Sequence, residues 1–395
     1  MKPVERHPAS FRDPSGGIVL HRGLPYRTVT ADYLPHLRRL ETSGLMKALF
    51  LQKELIPHRM LRKPHPFPTH AAAVLEPVPL RFISHPYEWC FSQWREAALL
   101  TLRLALQAVD HTMTLKDASA YNVQFHEGHA IWIDTLSFES CDAPGPWVAY
   151  RQFCRHFLAT LAGMSRIHPR WGLYFRSRMD GFDLREVARA LPVSTWFNPF
   201  LAGHLHLQSH LENRPLKPGR VQTSLPMNGT MLRGLLKDLS GGIGRMRAPR
   251  ADTPWVRYSQ ELPYPPAAAE KKKRVVTSWI RRTSPGTLWD LGANTGTFSL
   301  AAASQVPFVL ALDSDHGSVE RLWGEIRTRG VKNILPLWMD LADPSPSQGW
   351  MGRERSSLFD RGPADRGGYV MFARDKAAEK IIQNGRWKVP PSPVD

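Results

Sequence analysis

A turn that carries two glycines constrains the fold of this chain more than any other feature. The apolar run Leu288–Leu291 ends directly at Gly292, and Gly296 follows four residues later. From there the chain alternates between short apolar runs and helix-like segments, a pattern that predicts right-handed strand–helix–strand units and a parallel sheet. The predicted strands cover residues 288–291, 309–312 and 334–339, and the predicted helices cover residues 298–305 and 317–329.

Acidic residues follow the predicted strands at the edge where the glycine turn lies. Asp313 ends the second strand, roughly 20 residues after Gly292, a spacing at which a carboxylate can accept both hydroxyls of a ribose. Asp340 follows the third strand. Because ligands of open parallel sheets bind at the carboxyl ends of the strands, these residues predict a ligand site.

The chemistry around the turn favours a cationic ligand over a dinucleotide. The third glycine of the pyrophosphate-binding fingerprint is missing at its usual offset, and Asp290 stands immediately upstream of the turn. A carboxylate in that position would repel a pyrophosphate and attract a cation. S-adenosylmethionine carries a sulfonium, an ammonium and a ribose, so the residues favour this cofactor over NAD.

The same residues carry a resemblance to a known family. The segments Asp290–Ser299 and Val309–Asp315 resemble the first two motifs of class I S-adenosylmethionine-dependent methyltransferases, and residues 334–350 are similar to a group of large bacterial methyltransferase-like proteins that includes nodulation proteins. The resemblance implies a Rossmann-like sheet and methyl transfer from S-adenosylmethionine, with Asp313 on the ribose and Asp340 beside the adenine amino group. It also implies that the methionine and ribose side of the cofactor is lined by Asp290, Gly292, Asn294 and Gly296.

The resemblance is lost near the end of the chain. In the related group, a segment like Arg361–Asp365 leads into an apolar fourth strand and a His-His-Leu motif, whereas here Asp365 is followed by Arg366-Gly367-Gly368-Tyr369. We therefore expect residues 274–365 to form an incomplete Rossmann-like sheet with an uncovered edge at strand 288–291. We expect residues 366–395 to be the divergent tail of a truncated or frame-shifted chain, which we favour over a tail that is an unusual substitute for the missing part. An uncovered edge invites fraying and aggregation. The hypothesis is a methyltransferase with reduced or absent activity, and the alternative is a non-catalytic, cofactor-binding remnant.

Residues 1–240 predict a separate, mixed α+β domain. Hairpins are indicated over residues 11–28 and 123–133, and a helix that is apolar on almost every side covers residues 94–109, as expected of a helix in a core. Gly241-Gly242 is expected to end the last helix of this region, and the glycine-, proline- and lysine-rich residues 241–273 predict a linker.

A second constellation lies in this N-terminal region. Asp117, Asn122 and, after a predicted hairpin, Asp134 are similar to the catalytic loop and the metal-binding Asp of protein-kinase-like folds. The pattern departs from that family, because the usual glycine after Asp134 is missing, no phosphate-cradling lysine strand is evident upstream, and Ser15-Gly16-Gly17 is a poor glycine loop. Two interpretations stay open: a degenerate kinase-like binding protein, and a structural turn held by Asp and Asn hydrogen bonds, which we favour.

Two further clusters indicate surface features rather than sites. His204, His206 and His210 invite a metal site, but no further ligand stands at a suitable spacing, so we expect solvated surface histidines and no metal. The basic run Lys271–Arg274 is expected to be a solvated helix start.

The composition limits the partners. The 52 Lys and Arg residues against 35 Asp and Glu give a formal net charge of +17, which favours anionic partners, although the charge is spread along the chain. The three cysteines show no metal-type spacing, and the N-terminus lacks the apolar stretch of a signal peptide, so we expect a cytoplasmic protein without a membrane partner. No catalytic residue is indicated. A small molecule is favoured over RNA or protein as the methyl acceptor, and nucleic acid stays open as a partner.

Overall fold

Two sheets of different kinds organise the molecule, an antiparallel one near the N-terminus and a parallel one in the C-terminal part. The fold is that of a computed structural model, which describes residues 5–10, 13–61, 67, 71–143, 145–211, 227–250, 252–258, 266–362, 368–372, 381–383 and 386–388. The strands are β1 (Glu5–Arg6), β2 (Gly16–His21), β3 (Leu24–Val29), β4 (His58–Met60), β5 (Ala73–Pro77), β6 (Met113–Leu115), β7 (Val123–His126), β8 (His129–Trp132), β9 (Phe138–Ser140), β10 (Thr287–Leu291), β11 (Val309–Asp313), β12 (Ile334–Trp338), β13 (Gly368–Phe372), β14 (Ile381–Gln383) and β15 (Arg386–Lys388). The helices are α1 (Leu34–Thr42), α2 (Leu45–Leu51), α3 (Phe91–Asp110), α4 (Tyr150–Phe153), α5 (Ala159–Arg166), α6 (Trp171–Tyr174), α7 (Leu184–Ala190), α8 (Pro199–Leu201), α9 (Gln208–Leu211), α10 (Gly229–Arg245), α11 (Pro254–Tyr258), α12 (Pro266–Thr283), α13 (Thr297–Ala302) and α14 (His316–Arg329).

The N-terminal region contains both helices and antiparallel strands. Its antiparallel sheet has the order β1-β2-β3-β5-β4, and two small antiparallel pairs, β6 with β9 and β7 with β8, follow the long helix α3. The predicted hairpins correspond to β2–β3 and β7–β8, and the predicted core helix corresponds to α3, most of whose apolar side chains are buried. The pairing of β7 with β8 brings the loop after β6 close to Asp134, which follows β8.

The parallel sheet has the order β12-β11-β10-β13, so the glycine turn after β10 lies at its centre. The three predicted strands and the two predicted helices are confirmed to within a few residues. The predicted uncovered edge at residues 288–291 is wrong, because β13 pairs in parallel with the whole of β10. The signal for β13 was the apolar run Tyr369–Phe372, which is short and follows a charged, glycine-rich stretch. Strands β14 and β15 pair in antiparallel orientation, and the rest of the predicted tail lies outside the described residues.

The two faces of the parallel sheet are covered by different parts of the chain. One face packs against α12, α13 and α14 through alternate strand residues that include Leu288, Val309 and Ile334. Trp289 and Leu310, on the opposite face, belong to the same apolar cluster as α3. At this face the side-chain Nε2 of Gln93 in α3 donates to the carbonyl of Pro336 in β12 (3.0 Å). The N-terminal region and the parallel sheet therefore share one apolar core.

A buried ion pair joins the two regions. Glu88, just before α3, contacts Arg361, which lies after β12, with Oε1 and Nη2 2.5 Å apart and side-chain exposures of 1% and 7%. Burial raises the pKa of the Glu88 carboxyl, but the Arg361 guanidinium and further favourable contacts outweigh this effect, and the pKa lies below its ordinary value. The same guanidinium lies over the ring of Phe82, which contacts Trp289 edge-on. The connection from β12 to β13 is thus anchored to the N-terminal region.

The residues between the two sheets differ from the prediction in one respect. Gly241-Gly242 does not end the preceding helix, because α10 continues to Arg245 and Gly242 provides the close contact with Phe200 that a side chain would block. The predicted linker contains α11 and the start of α12, while residues 259–265 lie outside the described residues. Lys271, Lys273 and Arg274 are exposed within α12. In the parts of the chain that the structure describes, no helix combines the length and apolar character needed to cross a bilayer.

Candidate functional site

The turn after β10 adopts the left-handed backbone that its glycines permit. Gly292 and Gly296 have φ of 77° and 82°, and Asn294 between them has φ of 50°. Asparagine is one of the few other residues that adopt this conformation readily. At Gly296 a Cβ would also collide with Leu322 of α14, whereas around Gly292 no atom of the described residues lies within 4 Å of an added Cβ. The first glycine therefore borders open space, and the second allows close packing.

Asp313, at the end of β11, is held beside this turn by backbone hydrogen bonds. Its Oδ2 accepts from the N–H of Asn294 (2.7 Å), and its Oδ1 accepts from the N–H of Asp315 (2.8 Å). These two bonds orient the carboxylate at the carboxyl edge of the sheet.

The other two predicted acids lie in contrasting environments. Asp290 is fully buried, and its Oδ2 accepts from the hydroxyl of Ser299 in α13 (2.6 Å). Asp340 is exposed just after β12, and its Oδ1 accepts from the N–H of Ala342 (2.9 Å). The residues brought to the carboxyl edge are Gly292, Asn294, Gly296, Asp313 and Asp340. Asp290 instead fastens α13 to the sheet, and contact of each residue with a ligand stays a prediction.

A segment that the sequence did not mark as functional lies over these loops. We call residues 253–258 the bridging segment, because it is bonded to the loops on both sides of Asp313. The hydroxyl of Thr253 donates to Oδ2 of Asp315 (2.8 Å), and Nδ2 of Asn294 donates to the carbonyl of Trp255 (2.9 Å). The available sequence signal was Thr253-Pro254, a residue pair typical of a helix start.

The kinase-like set of Asp117, Asn122 and Asp134 makes hydrogen bonds and an ion pair within the N-terminal region. We call residues 116–122 together with Asp134 the Asp117 loop. Oδ1 of Asp117 accepts from the N–H of Ser119 (2.9 Å) and from Nε2 of Gln152 (2.7 Å). Asp134 forms an ion pair with Arg27 of β3, with Oδ1 and Nη1 2.6 Å apart and both side chains 13% exposed. These contacts are those of a structural turn.

Charges around the Asp117 loop compensate one another. Lys116 contacts Glu139 (2.8 Å) and the hydroxyl of Ser15 (3.0 Å), and Asp13 lies 3.3 Å from Nη1 of Arg27. Burial raises the pKa of both Asp117 and Asp13, and the nearby charge of Asp134 raises each pKa further. The segment Ser15-Gly16-Gly17 does not form a glycine loop around a ligand. Gly16 lies in β2, and a Cβ at this position would collide with the backbone of β3.

The prediction of solvated histidines is wrong for His206. This residue is 1% exposed, its Nε2 lies 2.8 Å from the hydroxyl of Thr195, and its ring stacks on Trp196. His204 lies between the Tyr150 hydroxyl and Asp238, 2.8 Å from each. A π-helical turn over residues 202–207 changes the helical spacing on which the prediction depended. Among the described residues, no group of three or more His, Cys, Asp or Glu is placed to hold a metal ion.

Comparison with known proteins gives one relative that spans most of the chain. The chain is similar to NoeA, a nodulation protein of Rhizobium meliloti (strain 1021), with 29% identity over 372 residues that cover 90% of this chain and 76% of NoeA. No protein-family model matches. Among solved structures, it is similar to the YcgJ protein of Bacillus subtilis (21% identity, 19% of this chain and 35% of YcgJ, TM-score 0.16). It is also similar to a Methanococcus maripaludis protein described as an S-adenosyl-L-methionine-dependent methyltransferase (16% identity, 32% of this chain and 66% of that protein, TM-score 0.22).

Proposed function

We propose that the carboxyl edge of the parallel sheet binds S-adenosylmethionine and that the protein is an S-adenosylmethionine-dependent methyltransferase. The observation that carries the proposal is the hydrogen bond from the Asn294 backbone N–H to Asp313, because it joins the glycine turn and the acidic strand end into one rigid unit. The open space beside Gly292 leaves room for a ligand next to this unit. The motif resemblance supplies the identity of the cofactor.

The proposal gives each residue of the edge a task. Asp313 accepts the ribose hydroxyls, Asp340 lies on the adenine side, and Gly292 lets the backbone approach the ligand closely. Asp290 acts indirectly, since its buried carboxylate fixes the helix that follows the turn. When bound, S-adenosylmethionine supplies a methyl group activated by its positively charged sulfur.

We expect a small molecule as the methyl acceptor, and the observations assign no catalytic residue. The expectation of low activity has two reasons, an open edge at β10 and the loss of the part of the sheet that holds the methyl acceptor. The first no longer applies, because β13 pairs with β10. A non-catalytic protein that only binds the cofactor remains the alternative at the same site. Incubation with methyl-labelled S-adenosylmethionine and separate small-molecule, RNA and protein fractions distinguishes the two.

Calorimetry on the full chain tests the binding step. The wild-type protein is expected to bind S-adenosylmethionine in preference to NAD. Asp313→Ala should weaken that binding by about one to two orders of magnitude, since hydrogen bonds to a charged group contribute about 1.5–3 kcal/mol. Glu325→Ala is the matched control, because Glu325 is paired with Arg329 within α14. Equal or tighter binding of NAD would overturn the proposal.

A further inference from the structure

The bridging segment is fixed at both ends of the loop pair that holds Asp313. At one end Thr253 donates to Asp315, whose Oδ2 also accepts from the N–H of Ser318 at the start of α14. At the other end the carbonyl of Trp255 accepts from the side chain of Asn294. Asn294 and Asp315 each also donate a backbone N–H to the carboxylate of Asp313. The bridging segment is therefore linked to this carboxylate twice, each time through a single intervening residue.

Two neighbouring apolar side chains of this segment differ in exposure. Val256 is 5% exposed and so belongs to the core, whereas Trp255 is 52% exposed although tryptophan is a residue that burial strongly favours. Its carbonyl accepts from the side chain of Asn294, two residues after Gly292, so the backbone of Trp255 lies at the glycine turn. An indole offers a flat aromatic face on which a heteroaromatic base can stack.

We propose that Trp255 is a further ligand-binding residue, which forms an aromatic wall for the adenosyl part of the ligand, and that Thr253 is a positioning residue that holds this wall in place. The inference depends on the proposed function, because it deepens the description of the same site. It also assigns a role to residues that precede β10 in the chain. The segment is then a part of the binding site and not only a connection between the two regions.

Calorimetry with S-adenosylhomocysteine, adenosine and L-methionine on the full chain tests this role. Trp255→Ala should weaken the binding of S-adenosylhomocysteine and adenosine by about five- to a hundredfold, the usual range for loss of one base–aromatic stack. Trp255→Phe should retain most of the affinity, because it keeps an aromatic face. The affinity for L-methionine should not change, since methionine lacks the adenosyl group. Trp196→Ala, which removes an indole of similar exposure in the N-terminal region, is the control.

Thr253→Val tests the positioning role. The substitution removes the hydroxyl that donates to Asp315 and leaves Trp255 in the chain. It should weaken adenosine binding less than Trp255→Ala does, and in the double variant it should add little, because a wall that is absent cannot be displaced. Equal losses that add fully in the double variant would overturn the coupling.

The outcomes separate this inference from the proposed function. Failure of the wild-type protein to bind S-adenosylmethionine, or binding that Asp313→Ala leaves unchanged, would refute the proposed function. Normal binding that Asp313→Ala weakens and Trp255→Ala leaves unchanged would refute the inference alone. Equal losses for adenosine and L-methionine in Trp255→Ala would also refute it, since they would indicate a general distortion of the edge. Thermal unfolding followed by circular dichroism verifies that each variant is folded.

Discussion

The glycine turn and the Asp117 loop both gather carboxylates at the ends of strands, yet they are built in opposite ways. In the glycine turn, Asp313 is oriented by two backbone N–H groups, and Gly292 borders open space. In the Asp117 loop, Asp134 is paired with the Arg27 side chain, and Asp117 accepts from its own loop and from Gln152. Backbone donors therefore orient the carboxylate of the glycine turn, whereas side chains, one of them charged, hold the carboxylates of the Asp117 loop.

The difference teaches that a pattern of acidic residues does not by itself identify a ligand site. Backbone donors orient a carboxylate without neutralising it by a full opposite charge. A guanidinium neutralises its partner and occupies the position of a ligand cation. The counter-charges of the second loop come from Arg27 and Lys116, which no spacing rule connects to Asp134 and Glu139. We therefore interpret only the glycine turn as a binding site.

The largest expected effect is on the free energy of unfolding, and it tests whether the two loops unfold together because they share one apolar core. Glu88→Ala leaves Arg361 buried without its carboxylate partner, and breaking such a buried pair costs about 3–5 kcal/mol. Urea unfolding measures the loss, and hydrogen exchange should show that residues 117–122 and 290–296 lose protection together. The control is Glu325→Ala, which removes an exposed pair and should cost at most about 0.5 kcal/mol. Loss of protection in only one loop would show that the two regions are independent.

The second largest effect is a loss of stability in acid. It concerns the Asp117 loop, because this loop contacts the buried side chain of His156. Nδ1 of His156 accepts from the N–H of Ala120 (3.2 Å), and burial, aided by the charge of Arg155, lowers the pKa of His156 to about 3. The folded state then binds fewer protons than the unfolded state, in which the pKa is 6.5. The contribution to stability is complete above pH 6.5 and is lost as the pH falls toward 3.

The size of this effect can be measured against a variant. At pH 5 the loss from His156 should reach about 2 kcal/mol relative to pH 7, and His85, whose pKa burial lowers to about 4, acts in the same direction. The melting temperature of the wild-type protein should therefore fall between pH 7 and pH 5. His156→Gln cannot be protonated and should show a smaller fall. Identical pH profiles for the two proteins would contradict the assignment to His156.

The sequence predicted what depends on local patterns and missed what depends on contacts across the chain. Strands β10, β11 and β12 were predictable because each is a short apolar run at a regular spacing. Strand β13 was missed because its run is brief and its partner, β10, lies far earlier in the chain. The Glu88–Arg361 pair and the bridging segment join residues with no sequence signal between them. For the site, the glycines and Asp313 were found from spacing, while the inward orientation of Asp290 required the structure.

Gly292→Ala should reduce the free energy of unfolding only moderately but should weaken the binding of S-adenosylmethionine strongly. Gly292→Ala places a side chain in the left-handed region, which costs roughly 1–2 kcal/mol, and its Cβ meets no described atom. The added methyl group would occupy the space into which the ligand must fit, so we expect at least a tenfold loss of S-adenosylmethionine affinity by calorimetry. The comparable change in the N-terminal region, Gly16→Ala, should reduce stability through its collision with β3 and leave that affinity intact. Unchanged affinity in Gly292→Ala would place the ligand elsewhere.

For magnesium and ATP we expect no effect at all, because the Asp117 loop should not bind them. A magnesium ion would need the oxygens of Asp134, but Arg27 lies 2.6 Å from one of them and the Ser137 hydroxyl lies 2.5 Å from the other. Binding would require these contacts to break, so saturating Mg-ATP should leave the melting temperature unchanged. By contrast, S-adenosylmethionine at a hundredfold excess over its dissociation constant should stabilise the protein by about 2.7 kcal/mol. An increase in melting temperature with Mg-ATP that is abolished in Asp134→Asn would make the Asp117 loop a kinase-like binding site. Both loops would then bind a ligand, and they would differ only in which ligand they bind.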